Sequence, residues 1–290
     1  METIVEKLTR LAKITKETHS EVSQELFSII KQMACNNEIF SLLESKSWPT
    51  AVDPALICES TEEDKMIRAG TILETLITKK IKNLNFLDLG CGEGYTTLRA
   101  KEFGAVKSVG FDIKKQGDLI WEKEENGLLL TTKYENLVKR MPFDIILIYD
   151  VIDHIENDEI VSFLAKAKTL MNQKGTIYLR CHPFCGRHGG HIYKELNKAF
   201  AHLILTDAEL AVLGVKNDHQ QEKIFKPMRV YEKCIHDAIL KIRKRNIIES
   251  PVEEFFKNEP QLYSRILERF DAQDFPEFQM KQEFIDYELD

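Results

Sequence analysis

At 290 residues the chain is long enough for one α/β domain with additions, or for a core with a small second lobe. Hydrophobic residues at 43% and charged residues at 30% are the balance of a globular enzyme, and a net charge of −7 argues against a protein that coats nucleic acid by bulk electrostatics. No stretch approaches the roughly 18 consecutive apolar residues of a membrane span. The N-terminus has no secretory apolar run, so a cytosolic, cytoplasmic protein with no membrane partner is expected.

Residues 2–46 read as helix, with Val5, Leu8, Leu11 and Ile14 at helical spacing. Pro49 and Pro54 make 47–58 an irregular connector, and Ser60 or Thr61 is placed to cap a helix over 62–81. Short apolar runs then alternate with helical stretches. Strands are predicted over 85–89, 108–113, 128–132, 143–149 and 176–181, and helices over 95–103, 134–139 and 157–171. Runs such as Ile145-Ile146-Leu147-Ile148 do not alternate with polar residues, as expected for a parallel strand covered on both faces. The pattern predicts a Rossmann-like α/β sheet, mostly parallel with helices on both faces, an N-terminal helical extension and a mixed C-terminal region. Beyond Phe184, helices are expected over 191–200, 207–213, 231–238 and 251–270, and strands over 240–248 and 279–289. The domain reading is an extension over 1–60 and a catalytic domain over 61–290, with its core at 82–184 and a substrate or lid region at 185–290. Six cysteines (Cys35, Cys58, Cys91, Cys181, Cys185, Cys234) are too sparse for a disulfide scaffold and are expected as thiols.

The strongest signal is Phe86-Leu87-Asp88-Leu89-Gly90-Cys91-Gly92-Glu93-Gly94-Tyr95. An apolar strand ends in an acid and three alternate glycines, a turn that lets backbone approach a ligand and then opens a helix. The dinucleotide fingerprint is spaced G-x-G-x-x-G, whereas this turn is G-x-G-x-G with an acid that would repel pyrophosphate. S-adenosylmethionine has no phosphate and presents an ammonium, a sulfonium and a ribose, which suit Asp88. Val109-Gly110-Phe111-Asp112 supplies a second acid about 20 residues after the glycines, where a ribose diol is held.

On these residues, together with the fourth-strand run Phe143 to Ile155 and Leu170-Met171-Asn172-Gln173-Lys174-Gly175-Thr176, the chain resembles class I S-adenosylmethionine-dependent methyltransferases. The resemblance covers roughly 62–184. It implies that Asp88 and the backbone of Gly90, Cys91, Gly92 and Gly94 hold the methionine part, and that Asp112 holds the ribose hydroxyls. Tyr95, Ile113 and Asp150 complete the candidate cofactor set. Many relatives carry an acid at the end of the third strand that contacts the adenine amino group. Thr132, Lys133 and Tyr134 stand there in this chain, so backbone groups around Tyr134 and Glu135 are the candidates instead.

Asp150, Asp153 and His154 follow the fourth strand, at the sheet edge where ligands bind. His154 is the candidate general base, because an imidazole titrates near neutrality, with Asp150 and His191 as further catalytic candidates. The same run also fits a helix cap that closes the cofactor pocket. Arg180 to Tyr193 packs three histidines, two cysteines and two arginines around three glycines, and His182–His191 reads as a substrate-binding lid. A zinc site from Cys181, Cys185, His188 and His191 has compressed spacing compared with structural zinc sites. Asp150, Asp153 and His154 with His188 or His191 are similar to the divalent-metal pattern of small-RNA 3′-terminal 2′-O-methyltransferases, though that family uses glutamates. The leading expectation is methyl transfer to an oxygen or nitrogen of a small-molecule or carbohydrate-like acceptor, without a tightly bound metal. Metal-assisted RNA ribose methylation, with Arg180, Arg187 and Lys241–Arg245 in its favour, and a non-catalytic binding module are the alternatives.

Overall fold

The computed structural model describes residues 43, 48–52, 61–215, 226–250, 257–272 and 281–290. The helix expected over 2–46 lies outside them, apart from helical Leu43. In chain order the elements are α1 (Glu62–Leu76), β1 (Asn85–Leu89), α2 (Tyr95–Glu102), β2 (Lys107–Phe111), β3 (Leu128–Thr131), α3 (Tyr134–Val138), β4 (Phe143–Tyr149), α4 (Asn157–Leu170) and β5 (Met171–Cys181). They continue with α5 (Ala201–Ile204), α6 (Asp207–Val212), α7 (Met228–Asp237), β6 (Ile242–Glu249), α8 (Pro260–Ala272) and β7 (Gln282–Leu289).

The chain divides into two compact units. Cys58–Pro183, Lys223–Glu249 and Gln282–Asp290 form a sheet unit, and Met1–Ile57, Phe184–Glu222 and Ser250–Lys281 form the other. The region 185–290, expected as one substrate or lid region, is therefore shared between them.

The sheet has seven strands in the order β3-β2-β1-β4-β5-β7-β6. Strands β1 to β5 run parallel, and β7 lies antiparallel to both β5 and β6. Apolar runs without alternation arise because neighbours in a strand point to opposite faces and both faces are covered. Leu87, Ile146, Ile148, Ile177 and Leu179 join α4 and α7 residues on one face, including Ile160, Leu164, Tyr231 and Ile235. Phe86, Ile145, Leu147 and Tyr178 meet Ile72, Leu73, Leu76 and Ala100 of α1 and α2 on the other. Ile145 to Ile148 are wholly buried, each stabilising the sheet by about 2 kcal/mol.

Several boundaries differ from the sequence reading. Helix α1 is capped by Thr61, whose Oγ1 accepts the Asp64 N–H, but it ends at Leu76 rather than near 81. There Tyr178 Oη accepts the Lys79 N–H and bonds Thr78 Oγ1, so tertiary partners replace the next helical turn. Strand β5 begins at Met171 rather than 176, since Met171 pairs with Phe143 and Asn172 donates to Asp144.

The helix expected over 191–200 is absent, and the short α5 follows it instead. In that unit, Ala199 N donates to Pro49 O, Trp48 Nε1 donates to Ala199 O, and Asn197 bonds both the N–H and the carbonyl of Val52. These bonds commit the segment to the 48–52 strip. Helix α6 has the full capping box of Thr206 and Glu209, and Arg265 of α8 bonds Glu209 and the Ile204 carbonyl. No helix among the described residues is long and apolar enough to cross a membrane.

Candidate functional site

The carboxyl ends of β1 and β4 and the facing side of α1 enclose a cleft of about 290 Å³ in the sheet unit. That is close to the lower end of small-molecule pockets. Its wall includes Lys65, Arg68, Ala69 and Ile72 from α1, Asp88, the turn from Gly90 to Thr96, and Tyr149 with Asp150. The cofactor candidates Asp88, Gly90, Cys91, Gly92, Gly94, Tyr95 and Asp150 thus meet in one place.

The turn is built by backbone bonds. Gly90 N and Cys91 N both donate to Phe111 O, at 2.8 and 3.0 Å, and Gly94 N donates to Cys91 O. Gly90 has φ +85° and Gly92 φ +54°, both in the left-handed region. A Cβ on Gly90 would fall 2.3 Å from Val151 Cγ2, whereas one on Gly92 would meet nothing within 4 Å and would project into free space. Gly92 N donates to Asp112 Oδ2 at 2.9 Å, so the acid ending β2 is tied to the turn ending β1. Above the turn, Lys65 pairs with Glu93 and its Nζ lies 5.1 Å from the centroid of the Tyr95 ring.

Asp88 is 3% exposed. Burial raises its carboxyl to about 7, assisted by the Asp112 charge, while the hydrogen bond from Thr97 Oγ1 at 3.0 Å pulls the other way. Thr97, absent from the sequence-derived set, is therefore the direct partner of the central acid. A buried acid that favours its neutral form is poised for a cationic ligand.

Asp150 adopts φ +53°, a strained conformation for a residue with a side chain, at the rim of the cleft. The β4–β5 register aligns Tyr149 with Arg180, and Asp150 N donates to Arg180 O. This brings His182 beside it, with His182 Nε2 3.1 Å from Asp150 Oδ1. His182 is buried, its ring centroid is 4.5 Å from that of Phe284, and its carbonyl accepts the Tyr231 hydroxyl. Burial lowers the imidazole, but the adjacent charges of Asp150 and Asp153 outweigh it and raise its pKa.

Asp153 is fully buried, and burial with the Asp150 charge raises its carboxyl to about 7 against the opposing effect of His182. His154 occupies a single 3-10 turn (Ile152–His154), with its side chain 44% exposed and Nε2 3.8 Å from Asp153 Oδ2. The structure thus pairs Asp150 with His182 rather than His154. His182 was named in sequence only as one end of a loop, and its relation to Asp150 depends on strand register.

Other cofactor candidates are not part of the cleft wall. Ile113, just past Asp112, is 86% exposed, and Tyr134 and Glu135 begin α3. His188 and His191 belong to the second unit, each with its ring 6.3 Å from that of Tyr193. The cations that favoured RNA have partners. Arg180 makes a bidentate pair with Asp286, and Arg187 donates to Thr50 O. Arg243, Lys244 and Arg245 on the edge strand face Asp290, Glu288 and Glu232.

Residues 63–223, more than half of the chain, match the family described as a methyltransferase domain. The chain belongs to this family and is an S-adenosylmethionine-dependent methyltransferase. Solved structures with similar folds include a SAM-dependent methyltransferase from Archaeoglobus fulgidus, 14% identical, with TM-score 0.47 over 82% of this chain and 99% of that one. Another, from Mesorhizobium loti, is 12% identical, with TM-score 0.44 over 76% and 95%. One from Listeria monocytogenes, there called putative, is 13% identical, with TM-score 0.45 over 78% and 97%. No protein of curated function matches the chain.

Proposed function

We propose that the enzyme methylates an oxygen or nitrogen of a small polar or carbohydrate-like acceptor, with Asp150 facing the acceptor and His182 holding it in place. The observation that carries this reading is the cleft in which Asp88, the open cradle at Gly92 and the His182-bound Asp150 share one wall.

The residues present fit the cofactor: an open glycine cradle, a buried acid for a cation and a second acid tied to the turn. When bound, S-adenosylmethionine supplies an electrophilic methyl group on its sulfonium. Asp88 and the backbone of the turn from Gly90 to Gly94 would hold the methionine end, with Arg68 on the same wall as a cation for its carboxylate. Asp112 would hold the ribose hydroxyls, while Tyr95, Ile113 and the start of α3 at Tyr134 and Glu135 would flank the remainder.

Asp150 is the acceptor-side base in this reading. It is partly exposed, it lines the cleft, and its carboxylate can take the proton that leaves the acceptor hydroxyl or amine. His182 fixes the carboxylate and balances its charge, and His154 has no part at the reacting atoms. Holding donor and acceptor in line supplies most of the acceleration. The committed state of Arg180 and Arg187 favours a small acceptor over an RNA backbone, which needs available phosphate contacts.

The test uses methyl-labelled S-adenosylmethionine with a panel of small hydroxyl and amine acceptors and with short RNAs bearing a free 3′ ribose. Label in small acceptors is expected. Label transferred to RNA alone would overturn the acceptor assignment.

A further inference from the structure

Sheet order orients the cofactor beyond the residues already assigned. The ends of β1, β2 and β3 lie side by side, with the methionine-binding turn on β1 and the ribose acid Asp112 on β2. A base attached to that ribose therefore falls toward the end of β3. Adenine differs from the 6-oxo purines by the amino group at its 6-position, a donor that needs an acceptor. Strand β3, which ends at Thr131, and the two residues after it, Thr132 and Lys133, offer no acid.

A carboxylate nevertheless stands there, delivered by the loop between β2 and β3. Glu122 is pinned by its backbone N–H, which donates to Leu130 O at 2.7 Å, and it holds φ +63°, a strained value for a residue other than glycine. Its Oε1 accepts from Thr132 N at 2.7 Å and Thr132 Oγ1 at 2.9 Å. Its Oε2 accepts from Thr131 Oγ1 at 2.8 Å and from Asn136 Nδ2 only at 3.5 Å. A carboxylate has about four lone-pair sites, so three are filled well and one is held by a contact at the limit of hydrogen bonding. Asn136 Nδ2 has a better partner in Thr131 Oγ1 at 2.9 Å and can yield the fourth site to another donor. Burial raises the Glu122 carboxyl, but these donors and Lys133 outweigh it and hold its pKa below the ordinary value.

We propose that Glu122 reads the base of the cofactor: its Oε2 accepts the exocyclic amino group and selects adenine over a 6-oxo purine. The proposal rests on the cofactor assignment above. A purely structural clamp would hold the loop on β3 without discriminating between bases.

Calorimetry separates the two. S-adenosylhomocysteine and S-inosylhomocysteine, which has a 6-oxo group in place of the amino group, are titrated into the wild-type chain and Glu122→Gln, with thermal melts as a check on folding. The wild type is expected to prefer the adenine ligand by about 100-fold, because the 6-oxo base sets an acceptor against the Glu122 carboxylate in place of a donor. Glu122→Gln, whose amide can donate to a 6-oxo group, should reduce that preference at least ~10-fold. If Glu122→Gln shows no cooperative melt, Glu122→Asp, which retracts the carboxylate by a methylene, carries the same comparison with the same expected loss. A wild-type preference below about threefold, or equal weakening of both ligands in the variant, overturns the proposal. Failure of the wild type to bind S-adenosylhomocysteine at all would contradict the underlying cofactor assignment instead.

Discussion

Replacing Asp88 by asparagine should uncouple cofactor binding from pH. With its carboxyl raised to about 7 by burial, Asp88 is half protonated at neutral pH in the free protein. A bound ammonium and sulfonium favour the ionised form, so binding must expel the proton. The wild type should release about 0.9 protons at pH 6, about 0.5 at pH 7 and about 0.1 at pH 8, and its Kd should rise about tenfold for each unit of pH below 7. The window closes near pH 8, where the ligand's own α-amino group starts to titrate. Calorimetry in buffers of different ionisation enthalpy reads the proton count directly. Asp88→Asn should release none and should bind about 10- to 100-fold more weakly at pH 7.5, through loss of a charge-assisted hydrogen bond.

Stability in the absence of ligand gives an independent reading of the same group. A carboxyl whose folded pKa is raised contributes stability below its unfolded value, and that contribution is lost as pH rises through 7. The rise from 3.8 to about 7 costs the folded state ~4 kcal/mol at pH 8. Asp88→Asn should therefore match the wild type at pH 4 and exceed it by a few kcal/mol at pH 8. Equal proton release by wild type and variant would refute the reasoning.

Three further outcomes are expected. With an acceptor found in the labelling screen, His182→Ala should lower kcat about 10²-fold or more while the Kd for S-adenosylhomocysteine stays within about threefold, and His154→Ala should change kcat by less than about threefold. A large effect only at His154 would reverse the assignment. Arg180→Ala should cost about 3–5 kcal/mol in urea unfolding, since it strands Asp286 in a site where both partners are mostly buried. Substituting Arg180 and Asp286 together by leucine should recover much of that, and no recovery would count against the ion-pair account. In the second unit, Trp48→Ala should cost about 3–5 kcal/mol and Trp48→Phe about 1 kcal/mol, the latter for its bond to Ala199 O. A loss below about 1 kcal/mol for alanine would mean that Trp48 does not anchor the 48–52 strip.

Local chemistry was legible in the sequence, and register was not. β1 and β4 were bounded correctly because continuous apolar runs can satisfy both faces of a buried strand, and the turn at Gly90 announced itself through its glycines and acids. The start of β5 was hidden because Asn172, Gln173 and Lys174 read as a turn, although Met171 pairs with Phe143. The helix expected over 191–200 lost to bonds with residues about 145 positions earlier, which no window can see. His182 looked like a loop histidine until β4 and β5 aligned Tyr149 with Arg180 and set it against Asp150. Glu122 carried no periodic signal, and only the fold of its loop brings a carboxylate to the end of β3.

The central claim is that the turn from Asp88 to Tyr95, tied to Asp112, is a working S-adenosylmethionine site. Titration calorimetry of S-adenosylmethionine into the wild type and Asp112→Ala tests it most directly. One cofactor per chain is predicted for the wild type, with affinity at least ~10-fold weaker in the variant from loss of bonds to the ribose. No binding by the folded wild-type chain, or equal affinity in the two proteins, would contradict the account.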